Sequence, residues 1–472
     1  MVIEHQVLRG KYHNMPKNKD KKINPWVIAL PIVLILILGT WQLIVRFEGE
    51  PPEILVTDFP SAVGSSGDFS FTVSDMKSGL RKVWVGILQN GTETVLLDKE
   101  IPRKGFLGGS DVSELPVEFS LVPKDIGLND GEAVLRISVK DYSWRDWWHG
   151  NVAYVEQTLL VDTKPAQIEV LSNAHNVTQG GTGLIVYRLS EACPQSGVQV
   201  GDNFFPGMAG YFQDPLTYLC MFAIGYDQGT DTSLSVTASD VAGNQSKAGF
   251  YHHIQKKKFK TDTISITDGF LDRKLPEFDV AGGGSLSPIE QFLKINGEMR
   301  RENYNTIVEV TRMTDPVVYW QGPFERLPGS ATRATYAEER DYTYQGKKID
   351  HQTHLGIDLA STSNAEVPAA NSGRVAFTGE IGIYGNTVII DHGFGLFSLY
   401  SHLSSISVAE GQILDKGEIL GHTGTTGMAG GDHLHFSILV HNTFVNPIEW
   451  WDGSWIENNI TSKLEEQAAG AY

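Results

Sequence analysis

His433-Leu-His-Phe-Ser-Ile-Leu-Val440 decides how this 472-residue chain is read. In a β-strand, residues i and i+2 project to the same side. His433 and His435 then face one cleft, while Leu434 and Phe436 turn into a core. Upstream, His354-Leu-Gly-Ile-Asp358 offers an imidazole and a carboxylate four residues apart, a spacing that keeps both on one face of a strand or a helix. Gly356 between them, and the lack of a helical apolar period, argue for a loop running into a strand. His402 stands between the two motifs in Tyr400-Ser-His-Leu403, and eight of the fourteen histidines fall between His351 and His441. A catalytic zinc keeps three protein ligands and one open position, and two His plus one carboxylate is a known set. With Asp358 ionised and two neutral imidazoles, about one net positive charge remains to acidify a water. One of His433 and His435 can bind metal while the other stands beside that water.

The other histidines fit blander roles. His351, His392, His422 and His441 are expected in turns or at the surface, His392 because Asp391 and Gly393 flank it. His252 and His253 precede Lys256-Lys257-Lys258 and suit a solvated loop. No H-E-x-x-H helix occurs, which excludes the helix-borne zinc proteases. Short β-rich runs with glycine punctuation recur at Arg374–Phe377, Thr387–Asp391, Leu396–Tyr400 and His433–Val440. Gly411-Gln-Ile-Leu-Asp-Lys-Gly417 reads as two tight turns around a short strand. With no helical period between Gly373 and Pro447, this domain is predicted to be all-β.

Residues 320–451 resemble the lysostaphin-type (LytM-like) zinc endopeptidases, which cut peptide bonds in bacterial peptidoglycan. The resemblance is carried by the three histidine motifs together with Gly385-Asn-Thr-Val-Ile-Ile-Asp-His-Gly393, Gly421-His-Thr-Gly-Thr-Thr-Gly427 and Val445-Asn-Pro-Ile-Glu-Trp450. It implies a small antiparallel β fold and one Zn2+ per chain, bound by His354, Asp358 and His435. It also implies that His402 and His433 serve as general base and transition-state partner. Tyr384 and Asn386, ahead of a cleft strand, are weaker candidates for groove contacts. Two positions depart from the family pattern: Gly431-Asp432, where Gly-Pro is common before H-x-H, and Ser437, where an acid is common after it.

The whole chain is expected to be mainly β, with an N-terminal transmembrane helix, two β-sandwich-like domains and a C-terminal antiparallel β peptidase domain. Residues 26–45 carry no formal charge and, at about 1.5 Å per residue, span roughly 30 Å, the thickness of a bilayer core. No convincing small-residue cleavage site follows, so an uncleaved anchor is expected rather than a signal peptide. Arg9, Lys11, Lys17, Lys19, Lys21 and Lys22 precede it, whereas Glu48, Glu50, Glu53 and Asp58 follow. Basic flanks stay cytoplasmic. The expectation is a single-pass inner-membrane protein with tail 1–25 inside and its bulk periplasmic or extracytoplasmic.

A weak internal repeat suggests sandwiches over 50–163 and 164–262. Pro52-Glu-Ile-Leu-Val and Pro165-Ala-Gln-Ile-Glu-Val open the two stretches. Strands ending at Asp141 and Asp240 lead to Gly150-Asn151 and Gly243-Asn244. Trp144, Trp147 and Trp148 are expected to cap a small core or fill an interdomain contact, the rival reading being a carbohydrate platform. Cys193 and Cys220 are expected to pair as a disulfide in an exported chain, the alternatives being a metal pair or idle core thiols. In the linker 263–319, Ser287-Pro-Ile-Glu290 reads as a capping box opening a helix, and Ala281-Gly-Gly-Gly-Ser285 as a flexible joint. This linker is either a hinge or lid over the cleft or a plain spacer. The peptidase domain is placed at 320–455 and a tail at 456–472.

A net charge of −18 argues against nucleic acid as a partner. The expected function is a membrane-anchored zinc metalloendopeptidase acting on peptidoglycan peptides, with cell-wall or division proteins as further partners. The alternative is a non-catalytic scaffold or activator of other cell-wall hydrolases.

Overall fold

In the computed structural model, the described residues are 24–56, 59–105, 108–280 and 283–469. The basic tail lies outside them, as do Ala281 and Gly282 of the expected joint. β-strands dominate, as expected, and the chain divides into two compact units, 1–162 and 163–472.

The first unit begins with a helix, Pro25–Arg46, capped by the Asn24 side chain, which accepts the Trp26 amide at 3.2 Å. Proline at the first helical position costs no hydrogen bond. None of its side chains is buried, and it is long and apolar enough to cross a membrane. Five strands (Ala62–Val63, Val152–Val161, Gly131–Asp141, Leu80–Gln89, Thr92–Glu100) form one sheet, and Glu53–Leu55, Gly67–Ser74 and Glu114–Leu121 form another. Phe69 and Phe71 from the smaller sheet share a core with Val85, Ile87, Leu135 and Ile137 from the larger. Trp147 and Trp148 do not cap this core, because consecutive left-handed backbone conformations turn them out to solvent. Trp144, half-buried, packs edge-on against Phe47 at 5.7 Å and against the Trp148 ring at 4.9 Å.

The repeat seen in the sequence marks a local device. Asp141 accepts the Asn151 backbone amide at 2.7 Å and its side-chain amide at 2.8 Å. Asp240 accepts the same two groups of Asn244, both at 2.9 Å. In each case a carboxylate at the end of a strand ties down the turn that follows it.

The second unit contains another pair of sheets, Ile168–Val170/Thr182–Leu189/Thr217–Ala223 and Asn203–Pro206/Gln195–Val200/Leu234–Ser239/Gln245–Ala248. The expected disulfide between Cys193 and Cys220 is not formed, and both are free, buried thiols. Strand Thr217–Ala223 directs the Cys220 thiol to the Phe205 carbonyl at 3.3 Å, while the Cys193 thiol turns back to the Glu191 carbonyl at 3.8 Å. Burial pushes the two thiols up to about 12 and about 11, which keeps them protonated.

The same unit holds a ten-stranded sheet, antiparallel along its main path. Numbered within that path, its strands are β1 (Ala331–Ala334), β2 (Ile357–Ala360), β3 (Gly373–Ile381), β4 (Gly385–Gly393), β5 (Leu396–Ile406), β6 (Ile413–Leu414) and β7 (Leu434–Val440), in the spatial order β1-β2-β7-β5-β4-β3-β6. The β-rich runs read from the sequence correspond to β3, β4, β5 and β7. His392 lies on β4 and is fully buried, not at the surface. It bridges the Ser372 carbonyl and the Ser398 hydroxyl, both at 2.7 Å. His441 is in a turn, as expected, but buried.

This sheet and the preceding sandwich share one continuous core. Thr182 donates its amide to Glu449 at 2.9 Å and its hydroxyl oxygen accepts from the Trp450 indole at 3.2 Å. Residues 456–469, expected as part of a tail, are helical, with Ile456, Ile460 and Leu464 buried at a four-residue period.

The linker is mostly ordered structure. Strand Thr261–Ile266 runs parallel to Glu338–Tyr344, and the Ser287 capping box opens helix Pro288–Lys294 as read from the sequence. A π-helical turn, Ile295–Met299, then leads into helix Arg300–Val310. Asn303 from that helix accepts the Ile383 amide at 2.9 Å and so fixes the turn carrying Tyr384.

Candidate metal centre

The register of β2 against β7 sets Asp358 directly opposite His435. Strand Lys347–His354 ends at His354, and a two-residue link then leads into β2, so the loop-into-strand reading holds. The link needs glycine: a Cβ on Gly356 would sit 2.5 Å from the Ser437 hydroxyl and 2.6 Å from the His435 ring. His354 Nε2, Asp358 Oδ1 and His435 Nδ1 thus converge, at 2.9 Å, 2.9 Å and 3.0 Å from one another.

Each imidazole has its far nitrogen committed. His354 Nδ1 lies 3.0 Å from the Thr335 carbonyl, which can only accept, so that nitrogen carries the proton. Ser437 donates its one hydroxyl proton to the Leu355 carbonyl at 2.8 Å and therefore accepts from His435 Nε2 at 3.1 Å. The atoms that face one another are then two ring lone pairs and a carboxylate oxygen. Such a trio requires a positive charge among its members, and burial opposes an added proton on His435 by holding it down to about 4. Nitrogen and carboxylate donors of this number suit a divalent cation with an open position. Ser437→Ala should free the His435 tautomer and weaken zinc retention by roughly 10-fold or more. Competition with a chromophoric chelator at fixed pH measures it, and unchanged affinity would contradict the assignment.

His402 and His433 stand beside this trio, their rings 4.9 Å apart. His402 has a left-handed backbone, φ 63°, which is strained for a non-glycine residue. Its Nδ1 is held by the Thr426 carbonyl at 2.8 Å, and His433 Nδ1 by the Gly431 carbonyl at 2.7 Å. Both Nε2 atoms are therefore left facing the cavity. Burial holds His402 well below its usual range and keeps its Nε2 unprotonated, whereas at His433 burial is outweighed by Asp358, which raises it and favours a proton on its Nε2. The His433 Nε2 lies 3.6 Å from Asp358. Leu434 and Phe436, by contrast, are buried in the core, as strand alternation requires.

All five motif residues line one cavity of about 410 Å³. Tyr384 lines it too, its ring 5.5 Å from that of His435. Asn386 does not form part of the wall: its amide donates to the Leu403 carbonyl at 3.1 Å. The linker lines the cleft as well, through Thr267, Phe270 and Arg273, so it is more than a spacer.

Sequence reasoning missed Arg340, which donates to the second Asp358 oxygen at 3.1 Å and to Glu338 at 3.2 Å. Burial opposes the charged form of Asp358, but positive charge and protons on the facing imidazoles, His354 first, outweigh it and hold the carboxyl well below its usual range. With the neutral tautomers above, a cation has to supply that charge. Glu338 and Arg340 at i, i+2 on one strand face were the available signal.

Comparison with known proteins agrees with this geometry. The family described as Peptidase family M23 matches residues 352–447. The DD-carboxypeptidase/endopeptidase Mpg of Neisseria meningitidis serogroup B is 42% identical over 95 residues, 20% of this chain and 22% of that protein. The peptidoglycan DD-endopeptidase ShyA of Vibrio cholerae is 35% identical over 96 residues, again 20% and 22% of the two chains. The match thus spans about a fifth of these curated relatives. The catalytic domain of lysostaphin from Staphylococcus simulans superposes with a TM-score of 0.24 at 25% identity, covering 28% of this chain and 98% of that one. Around the His354–Asp358–His435 cluster, the C-terminal part of this chain is a peptidase family M23 domain.

Proposed function

We propose that this chain is a membrane-anchored, zinc-dependent endopeptidase that hydrolyses peptide bonds of peptidoglycan. The observation that carries the reading is the convergence of His354 Nε2, Asp358 Oδ1 and His435 Nδ1 in one cavity that His402 and His433 also line. The similarity to peptidoglycan endopeptidases supports the choice of substrate.

A bound zinc supplies Lewis acidity, which lowers the pKa of water and polarises a carbonyl. The protein's own part is positional. Thr335 and Ser437 fix the tautomers of His354 and His435, and Arg340 holds Asp358 from behind. His402 and His433 can each accept a proton at Nε2 or, once protonated, donate a hydrogen bond to a developing oxyanion. Their Nδ1 protons are retained by backbone carbonyls, so neither ring needs to rotate.

The apolar helix Pro25–Arg46, behind a lysine-rich segment, supports an anchor with its N-terminus inside and the bulk of the chain outside. Membranes containing the full chain, washed with alkaline carbonate, should retain it and should release peptide fragments from isolated cell walls. Chelation should stop that release and added zinc should restore it. Release insensitive to chelators would overturn the zinc reading, and a carbonate-soluble product the anchor.

A further inference from the structure

We infer that Arg300 is a specificity residue that binds a free carboxylate of the substrate beside the scissile bond, an inference that rests on the proposed peptidase function. Four observations lead to it. First, the metal cleft has a neighbour. A second cavity of about 590 Å³ adjoins it, lined by Tyr226 and Asp227 of the preceding sandwich and Tyr304 of the helix that Arg300 begins. Arg300 and Leu355 line both cavities and so form the partition between them.

Second, the guanidinium is held by a built support. Its Nε donates to the Asn296 backbone carbonyl at 3.2 Å and its Nη2 to the Asn296 side-chain oxygen at 2.7 Å. Asn296 is fully buried and donates in turn to Asp350 at 2.7 Å, which also accepts from Gln352 at 3.0 Å. Long side chains lose much rotamer freedom on ordering, so a guanidinium fixed in advance binds an anion at lower entropic cost.

Third, the backbone is irregular where this support is made. Asn296 lies within the π-helical turn Ile295–Met299, and Arg300 follows it directly. A π turn rotates the side chains after it relative to a regular helix, and such turns are common at functional sites.

Fourth, Arg300 is the one cleft arginine both held and uncommitted to a carboxylate among the described residues. Arg340 is engaged by Asp358 and Glu338. Arg273 is exposed and lies over the Phe270 ring at 5.9 Å. With Nε and Nη2 of Arg300 committed, Nη1 is left for a ligand. The partner that satisfies it is a carboxylate on a peptide that passes from the metal cleft into the second cavity.

The test compares stem-peptide dimers bearing free carboxylates with the same dimers after chemical amidation, using the full chain with zinc. The wild-type protein should favour the free acid by roughly 10- to 100-fold in kcat/KM, the range for a hydrogen bond to a charged group. Arg300→Gln should lose that preference through a raised KM for the acid, its kcat/KM falling to that for the amidated dimer, while its zinc content is retained. Arg300→Lys, which keeps the charge but not the two bonds to Asn296 that hold it in place, should retain part of the preference. Equal cleavage of both dimers by the wild-type protein, a comparison that needs no variant, would overturn the inference, as would a preference that survives in Arg300→Gln. If the wild-type protein cleaved neither dimer, the proposed function itself would fail, a distinct outcome.

Discussion

Replacing His354, Asp358 or His435 by alanine is expected to remove zinc and hydrolysis together, whereas His402→Ala and His433→Ala are expected to keep zinc and lose rate. The two groups separate on geometry. The first three present Nε2, Oδ1 and Nδ1 within 3.0 Å of one another, so no pair of them is left able to enclose a cation once the third is gone. Loss of a direct ligand should exceed the roughly 10- to 100-fold affinity loss typical of outer partners. The second two stand beside the trio with their Nδ1 protons committed to backbone carbonyls. Removing one should cost about 10²- to 10⁴-fold in rate, the range for general acid–base groups. Metal content of the purified variants by atomic absorption, set against their rates on cell-wall fragments, checks both statements. Full zinc in any of the first three variants would refute the ligand set, and a full rate in His402→Ala or His433→Ala would refute its role.

Trp450→Ala should produce the largest loss of stability. The indole is fully buried and makes ring contacts with Trp320 and Phe324 at 5.4 Å and with Trp455 at 5.6 Å. It also donates to Thr182 on the preceding sandwich at 3.2 Å, while its backbone carbonyl accepts the Phe324 amide at 2.8 Å. Truncating a buried aromatic to alanine typically costs about 3–5 kcal/mol in lost transfer energy and residual cavity. Because the sandwich and the peptidase sheet share one core, both should melt together at a lower temperature. Ile448→Ala, two residues away and half-exposed, should fall within about 0.5 kcal/mol of wild type. Thermal unfolding of the full chain followed by circular dichroism provides the measurement. A loss under about 1 kcal/mol, or two separate transitions in the second unit, would contradict the shared core.

The features legible in the sequence are those whose physics is local. Strand alternation alone places His433 and His435 on one side and Leu434 and Phe436 on the other. The apolar run of Pro25–Arg46, the Ser287 capping box and the turns at Gly411 and Gly417 follow from composition and backbone preference over a few residues. The same holds for the repeated Asp-to-Asn clasp, whose partners are four and ten residues apart. The helix at 456–469 was also legible in principle, since its apolar residues recur every four positions, but short runs after a β domain invite reading as a tail.

Tertiary structure decided what depends on partners far apart in the chain. The register that sets Asp358 against His435 spans 77 residues, and it alone turns a plausible ligand set into three atoms at hydrogen-bonding distance. The tautomers depend on the Thr335, Leu355 and Thr426 carbonyls, backbone groups that no side-chain motif encodes. Whether Cys193 meets Cys220 depended on where two loops and a strand direct their thiols, and each found its own carbonyl instead. Burial of His392 followed from the central position of β4 in the sheet, where flanking Asp and Gly no longer signify an exposed turn. Arg300 shows the difference most plainly. In the sequence it is one of two adjacent arginines on a polar helix. In the fold, the π turn before it and the Asn296–Asp350 support behind it fix it at the partition between two cavities.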